Sequence, residues 1–210
     1  LANKEQRGYI TPQEFNLLAD KAQNEIFDSY FHDVKTTDVK PKNQLGVAFD
    51  ELEIIQEKLH PFKSTRTWTQ VAETSSYDLP SELYLIDTIF QNNIEVVELT
   101  KKEIMYTQNN PLTQATTNRR VYARGVGNFS STTNSESITL YPTPIVDTEF
   151  TIDYYERPVI PKWGYVVVSK KALYNEVAST NFQLHKSEEE LLVSRILELA
   201  GIVIMKPGIV

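Results

Sequence analysis

Apolar residues recur at helical spacing near both ends of this chain and at strand spacing through its middle, and that segregation admits few folds. Helices gathered apart from strands build α+β architectures, with an antiparallel sheet as the partner layer. Behind Thr11-Pro12-Gln13-Glu14, the residues Phe15, Leu18, Ala19, Ala22, Ile26, Tyr30 and Val34 line one face for about six turns. Thr11 suits a cap, Pro12 the first helical position, and Glu14 the return bond of a capping box. Leu17, Phe27 and Phe31 lie off that face, so the apolar surface is broader than one contact requires and predicts a second partner. Residues 39–46 read as a connection. A second helix follows, carrying Leu45, Ala48, Phe49, Leu52, Ile55 and Leu59 and stopped by His60-Pro61, so the two form an antiparallel hairpin.

From residue 67 the pattern changes to short β-rich runs at 67–72, 84–91, 94–99, 119–124, 137–141 and 149–156. In the last, Phe150, Ile152 and Tyr154 alternate with Thr151, Asp153 and Tyr155, as one buried sheet face demands. Thr100-Lys101-Lys102-Glu103 is a second capping box and opens a short helix inside the strand region. The polar stretch after Gly125-Val126-Gly127-Asn128, including Ser131, Thr132 and Asn134, reads as an exposed hairpin tip. A C-terminal helix starts at Ser187, with Glu188, Glu189 and Glu190 in its first turn and Leu192, Ile196, Leu199 and Val203 on its buried face. The tail holding Ile204, Met205, Pro207, Ile209 and Val210 is apolar and predicts a docking segment. The expected fold is therefore α+β, a helical hairpin plus C-terminal helix packed with an antiparallel β-sheet domain. Its divisions are 1–66 for the hairpin, 67–180 for the β domain, and 181–210 for a C-terminal strand, helix and docking tail.

Composition narrows the function. With 210 residues, 40% of them hydrophobic, the chain is able to bury a core. It has no cysteine, which removes disulfides, thiolate zinc, iron–sulfur clusters and a cysteine nucleophile together. A net charge of −7 argues against wrapping nucleic acid. No apolar run nears a membrane span and the start LANKEQRGY lacks a signal-peptide core, so a soluble protein without a membrane partner is expected.

Catalytic motifs are scarce. The spacing of Gly8, Ile10 and Glu14 mimics an EF-hand loop opening at Asn3, but Arg7 occupies a ligand place and no helix precedes it, so a capped helix start is the preferred reading. His32, His60 and His185 lack partners at metal-ligand spacing. No cofactor, metal or catalytic residue is assigned. Arg119, Arg120 and Arg124 around Tyr122, and Lys170-Lys171, form short cationic clusters of the kind that meet acidic surfaces of neighbouring proteins. The 11 tyrosines suit an interface. They also keep open a carbohydrate-binding or adhesion module using Tyr155, Trp163 and Tyr165.

Several stretches together resemble a virion family. Residues 3–28, NKEQRGYITPQEFNLLADKAQNEIFD, resemble the N-terminal signature of structural proteins in crAss-like and related short-tailed bacteriophages. Tyr77-Asp78-Leu79-Pro80, Leu140-Tyr141-Pro142-Thr143-Pro144 and Ile152-Asp153-Tyr154-Tyr155-Glu156-Arg157-Pro158 are similar to the sheet region of phage head-to-tail adaptors, and residues 182–192 to their closing run. The resemblance implies a non-enzymatic ring subunit, typically in twelve copies, in the neck of the virion and made in the host cytoplasm. Its implied partners are further copies of itself, the portal protein, other tail or ring proteins, and genomic DNA passing without sequence-specific contact. The implied portal or neighbour interface is Leu17, Phe27, Phe31 and the apolar tail; the implied tail-facing loop is Asn128, Phe129, Ser131, Thr132 and Asn134.

Overall fold

The structure, a computed structural model, describes residues 10–38, 45–69, 76–126, 136–143, 149–169 and 171–201. In chain order the elements are α1 (Pro12–Asp38), α2 (Leu45–Leu59), β1 (Lys63–Thr69), β2 (Ser76–Asp78), β3 (Leu83–Gln91), β4 (Ile94–Glu95), β5 (Val97–Glu98) and α3 (Lys101–Gln108). They continue with β6 (Val121–Val126), β7 (Glu136–Tyr141), β8 (Glu149–Glu156), β9 (Tyr165–Val168), β10 (Lys171–Tyr174) and α4 (Glu189–Leu199). The fold is α+β. Among the described residues, no helix is long and apolar enough to cross a membrane.

The chain divides into two compact units, Leu1–Pro61 with Pro158–Val210, and Phe62–Arg157. The sequence reading instead ends the helical body at 66 and gives residues up to 180 to the β domain. Two facts move those limits: β1 already begins at Lys63, and the segment after Pro158 is hydrogen-bonded to α1. The expected C-terminal strand is also absent from the described part of 181–210, where backbone pairing stops at a single bridge between Thr180 and Lys162.

In the Phe62–Arg157 unit, the strands form two four-stranded sheets, ordered β1-β8-β3-β4 and β2-β7-β6-β5. Pairing is antiparallel throughout except β5 with β6, which run parallel. One face of each sheet supplies a shared core: Leu83, Ile86, Ile89, Phe150, Ile152 and Tyr154 from the first, Tyr77, Tyr122, Ile138 and Leu140 from the second. The alternation expected for residues 149–156 is present, with Phe150, Ile152 and Tyr154 all buried. In β3 the buried residues Leu83, Ile86 and Ile89 come every third place, because two register shifts against β8 each add a residue to the outer side. The run 94–99 is not one strand. Asn92 and Asn93 adopt positive φ and turn β3 into β4; buried Val96 then carries the chain across the core, so that β4 pairs in the first sheet and β5 in the second.

The outer face of the second sheet carries α3. Ile104 packs with Val121 and Ala123, the residues that flank inward-facing Tyr122 along β6. The capping box at Thr100 is complete: its hydroxyl accepts from the Glu103 N–H, and the Glu103 carboxylate accepts from the Thr100 N–H.

In the other unit, α1 packs against both α2 and α4. Its buried face is Ala19, Ala22, Gln23, Ile26, Phe27 and Tyr30. The Thr11–Glu14 capping box forms as the sequence predicts, the Glu14 carboxylate accepting from the Thr11 N–H at 2.8 Å and its hydroxyl at 2.8 Å. α2 runs into a 3-10 turn at His60–Phe62. A second such turn, Lys186–Glu188, capped by His185 rather than Ser187, precedes α4.

Two outcomes follow. Ile138→Ala empties a fully enclosed site and is expected to cost about 2–5 kcal/mol, whereas Ile94→Ala, 47% exposed, changes stability by under about 0.5 kcal/mol; urea midpoints measure both. The hydrogen bonds from the Thr11 backbone and then its hydroxyl hold the Glu14 pKa below the ordinary glutamate value. The contribution of this cap is therefore complete above the unfolded glutamate pKa and is lost as pH falls through the lower folded value. NMR titration should place the Glu14 carboxyl below free glutamate, and Thr11→Val should move it upward.

Candidate assembly surfaces

The first surface is built from two amides on α1. Asn16 and Gln23 stand seven residues apart, two turns along one helix face. The Asn16 Oδ1 accepts from the Trp163 N–H at 2.7 Å, and its Nδ2 donates to the Trp163 carbonyl at 3.3 Å. Gln23, with no exposed surface, donates from Nε2 to the Val159 carbonyl at 2.9 Å and accepts from the Gln183 N–H at 3.1 Å. The Gln183 side chain closes the cycle by accepting from the Val159 N–H at 3.0 Å. Both ends of the excursion between residues 159 and 183 are thereby held on α1.

That excursion is an arm. β9 and β10 pair as a two-stranded antiparallel ribbon, Val166 opposite Leu173 and Val167 opposite Ala172. The ladder extends through the Asn175 N–H, which donates to the Gly164 carbonyl, and the Lys162–Thr180 bridge. At its base Trp163 stacks on Tyr165 and Tyr174, centroids 5.8 and 6.4 Å apart. Along the ribbon, Val166, Val167, Val168, Leu173 and Tyr174 are about half exposed or more, Val167 at 63%. Exposed apolar side chains occupy both faces, an arrangement that a lone ribbon in water does not stabilise.

The second surface lies along α4. Leu192 and Ile196 are buried while Leu191 and Val193 stay exposed. Beside them is an open cleft of about 340 Å³ lined by Glu25, Ile26, Ser29, Leu191, Ser194, Arg195 and Glu198. Arg195 donates to Glu25 of α1 and to Glu198 of its own helix, each at 2.6 Å. Glu188, which the sequence places in the first turn of the C-terminal helix, is buried and pairs with Lys58 of α2 at 2.6 Å. The Lys58 ammonium also sits over the Tyr30 ring, and burial followed by the Glu188 charge raises the Tyr30 pKa.

The expected interface residues divide. Leu17 is 72% exposed. Phe27 is 2% exposed and meets Phe31 edge-on at 5.1 Å, so the extra apolar width of α1 is largely spent inside the chain, where α1 has both α2 and α4 to cover. Ile204, Met205, Pro207, Ile209 and Val210 lie outside the described residues, as do Asn128, Phe129, Ser131, Thr132 and Asn134.

The arginine cluster does not form one patch. Arg120 is buried, donating to Gln91 Oε1 and the Pro142 carbonyl with its guanidinium 5.9 Å from the Phe150 ring, so it is a core residue. Arg119 donates to the Thr113 carbonyl, and Arg124 sits 3.7 Å from Glu98. Of the residues in the carbohydrate reading, Trp163 stacks on Tyr165 and Tyr174, whereas Tyr155, on β8, belongs to the other unit. His185 Nδ1 caps the 3-10 turn. Glu14, the twelfth place of the EF-hand-like pattern, is committed to the helix cap.

Gln23, Asn16 and the arm escape a reading by hydrophobic period alone. One signal for Gln23 is in the sequence, since it is an amide set among Ala19, Ala22, Ile26 and Phe27, where only apolar residues are expected.

Compared with known protein families, the chain matches the model described as SU10 adaptor protein over residues 47–163, more than half its length. No match was found among curated proteins.

Gly164 offers a direct check on the arm. A Cβ there would lie 2.5 Å from the Ala178 carbonyl carbon and 2.6 Å from its oxygen, both backbone atoms. Gly164→Ala should therefore open the base of the arm, costing about 1–3 kcal/mol and speeding hydrogen exchange at the Asn175 amide.

Proposed function

Because this chain belongs to the SU10 adaptor protein family, a phage structural protein of the virion, we propose that it is a head-to-tail adaptor subunit that acts as one member of a closed ring seated on the portal. The reading goes further than family membership in four respects. The ring has twelve copies; the apolar tail with Ile204, Met205, Pro207, Ile209 and Val210 engages the portal, together with Leu17; the loop holding Asn128, Phe129, Ser131, Thr132 and Asn134 faces the next tail component; and DNA passes through the ring without sequence-specific contact. Within the family, the stretch 3–28 draws the chain towards the crAss-like and related short-tailed phages.

The observation that carries the ring reading is the arm. An isolated subunit leaves Val166, Val167, Val168, Leu173 and Tyr174 in water on a ribbon with two open edges, and a monomer seldom keeps such a structure without a surface to cover it. The net charge of −7 supports a channel role, since like charge lets DNA slide rather than adhere. The chemistry at hand is that of contact. Among the described residues no group of three or more His, Asp or Glu side chains is placed to hold a metal.

Assembly on a template is expected, because association carries a large entropic cost that a preformed portal ring reduces. The full chain mixed with its portal, examined by native mass spectrometry and electron microscopy, should give a closed ring on the portal end. A chain that stays monomeric with portal present refutes the reading.

A further inference from the structure

The ring reading does not say which surfaces of neighbouring subunits meet. We propose that the β9–β10 arm of one copy seats on the outward face of α4 in the next copy, its basic turn against the acidic start of that helix. The proposal rests on the ring reading and assigns its subunit contact.

The arm has one face suited to this. Residues opposite one another in an antiparallel ladder share a face, so Val166 and Leu173 lie together, followed towards the turn by Val168 and Lys171. The three apolar residues are about half exposed and Lys171 is exposed as well; Lys170 adjoins it in sequence. The opposite face is occupied near its base by the Trp163, Tyr165 and Tyr174 stack. An apolar strip ending in positive charge is thus what the arm offers.

On α4 the order is complementary. Glu189 and Glu190 are exposed at the start of the helix, and Val193 follows at the i+3 and i+4 positions that place it beside them. Leu191 is exposed next to the cleft shared with α1. In a chain of net charge −7, most pairs of surfaces on two copies repel. A lysine-tipped apolar strip meeting Val193 behind two glutamates is attractive in both respects, and such charge matching sets register and excludes wrong pairings; Leu191, two residues from Val193, lies on another flank of the helix and stays outside this contact. The two patches are different parts of the same chain, so the contact is head-to-tail. Repeated around an axis, a heterologous contact closes into a ring.

Another exposed site that pairs acid with apolar residues is Ile94, Glu95, Val97 and Glu98 on β4 and β5. The test separates the two. The chain has no cysteine, so single exposed cysteines report contact directly. Full-length chains carrying Val168→Cys and Val193→Cys are mixed, assembled with portal and oxidised. The expected result is a disulfide-linked heterodimer, and a ladder of higher multimers from the double variant. Lys171→Glu alone and Glu189→Lys with Glu190→Lys should each weaken assembly about tenfold, and combining them should restore it, with unchanged melting of the subunit.

Rings that assemble without the 168–193 link, or that link Val168→Cys to Ile94→Cys instead, overturn this contact and leave the ring reading standing. Failure of the unmodified chain to assemble at all overturns both.

Discussion

A closed cycle of hydrogen bonds among Gln23, Val159 and Gln183 sets where the chain meets α1 in the helical unit, and the placement of the arm depends on it. Gln23 is an amide at the centre of an apolar helix face, with no exposed surface. Left unpaired there it would cost about 1–3 kcal/mol. It is satisfied only if the chain returns from the β strands to lay Val159 and Gln183 against α1. The same residues that complete its bonding therefore fix where the arm leaves the body and where the segment before α4 comes back. Asn16, two turns earlier, repeats the device at Trp163. Polar groups buried in this way add little net stability but select one register of packing, since any slip strands several donors and acceptors at once.

The β unit obeys a different constraint. Its core is made of two sheet faces, so each strand must keep alternate residues inward, and where the chain departs from alternation it does so by identifiable means. Two bulges in β3 turn the buried spacing from two to three, and Val96 crosses between sheets. Arg120 is enclosed by an amide, a carbonyl and the Phe150 ring. A buried cation without a carboxylate partner among the described residues marks this end of the core as a place where geometry rather than charge pairing decides the side chain.

What remains outside both cores is a set of surfaces suited to association. The arm exposes valines on both faces, and α4 exposes Leu191 and Val193 beside glutamates. Those features fit a structural adaptor of the virion, whose function is to hold neighbours in a fixed order. Charged groups with defined partners, such as Lys58 with Glu188 and Arg195 with Glu25, join helices to one another.

Much of this was legible in the amino-acid order. Both capping boxes, the long first helix, the stop after Leu59 and the alternation of β8 are local, set by side chains within four residues of the backbone groups they serve. The spacing puts Phe27 off the main face of α1 but cannot say how many helices will cover that helix, and two do. The arginines at 119, 120 and 124 lie close in sequence yet part in space, because each is held by a different partner: the Thr113 carbonyl, Gln91 with the Pro142 carbonyl, and Glu98. The arm is not legible in the sequence, because its valines run consecutively with no alternation of buried and exposed places. Sequence alone determined the elements and the α+β class, for these follow from spacing and short-range hydrogen bonds. Only the tertiary structure decided which apolar residues are spent inside and which are left for a neighbour, because burial depends on contacts between segments more than a hundred residues apart, as Gln23 and Val159 are.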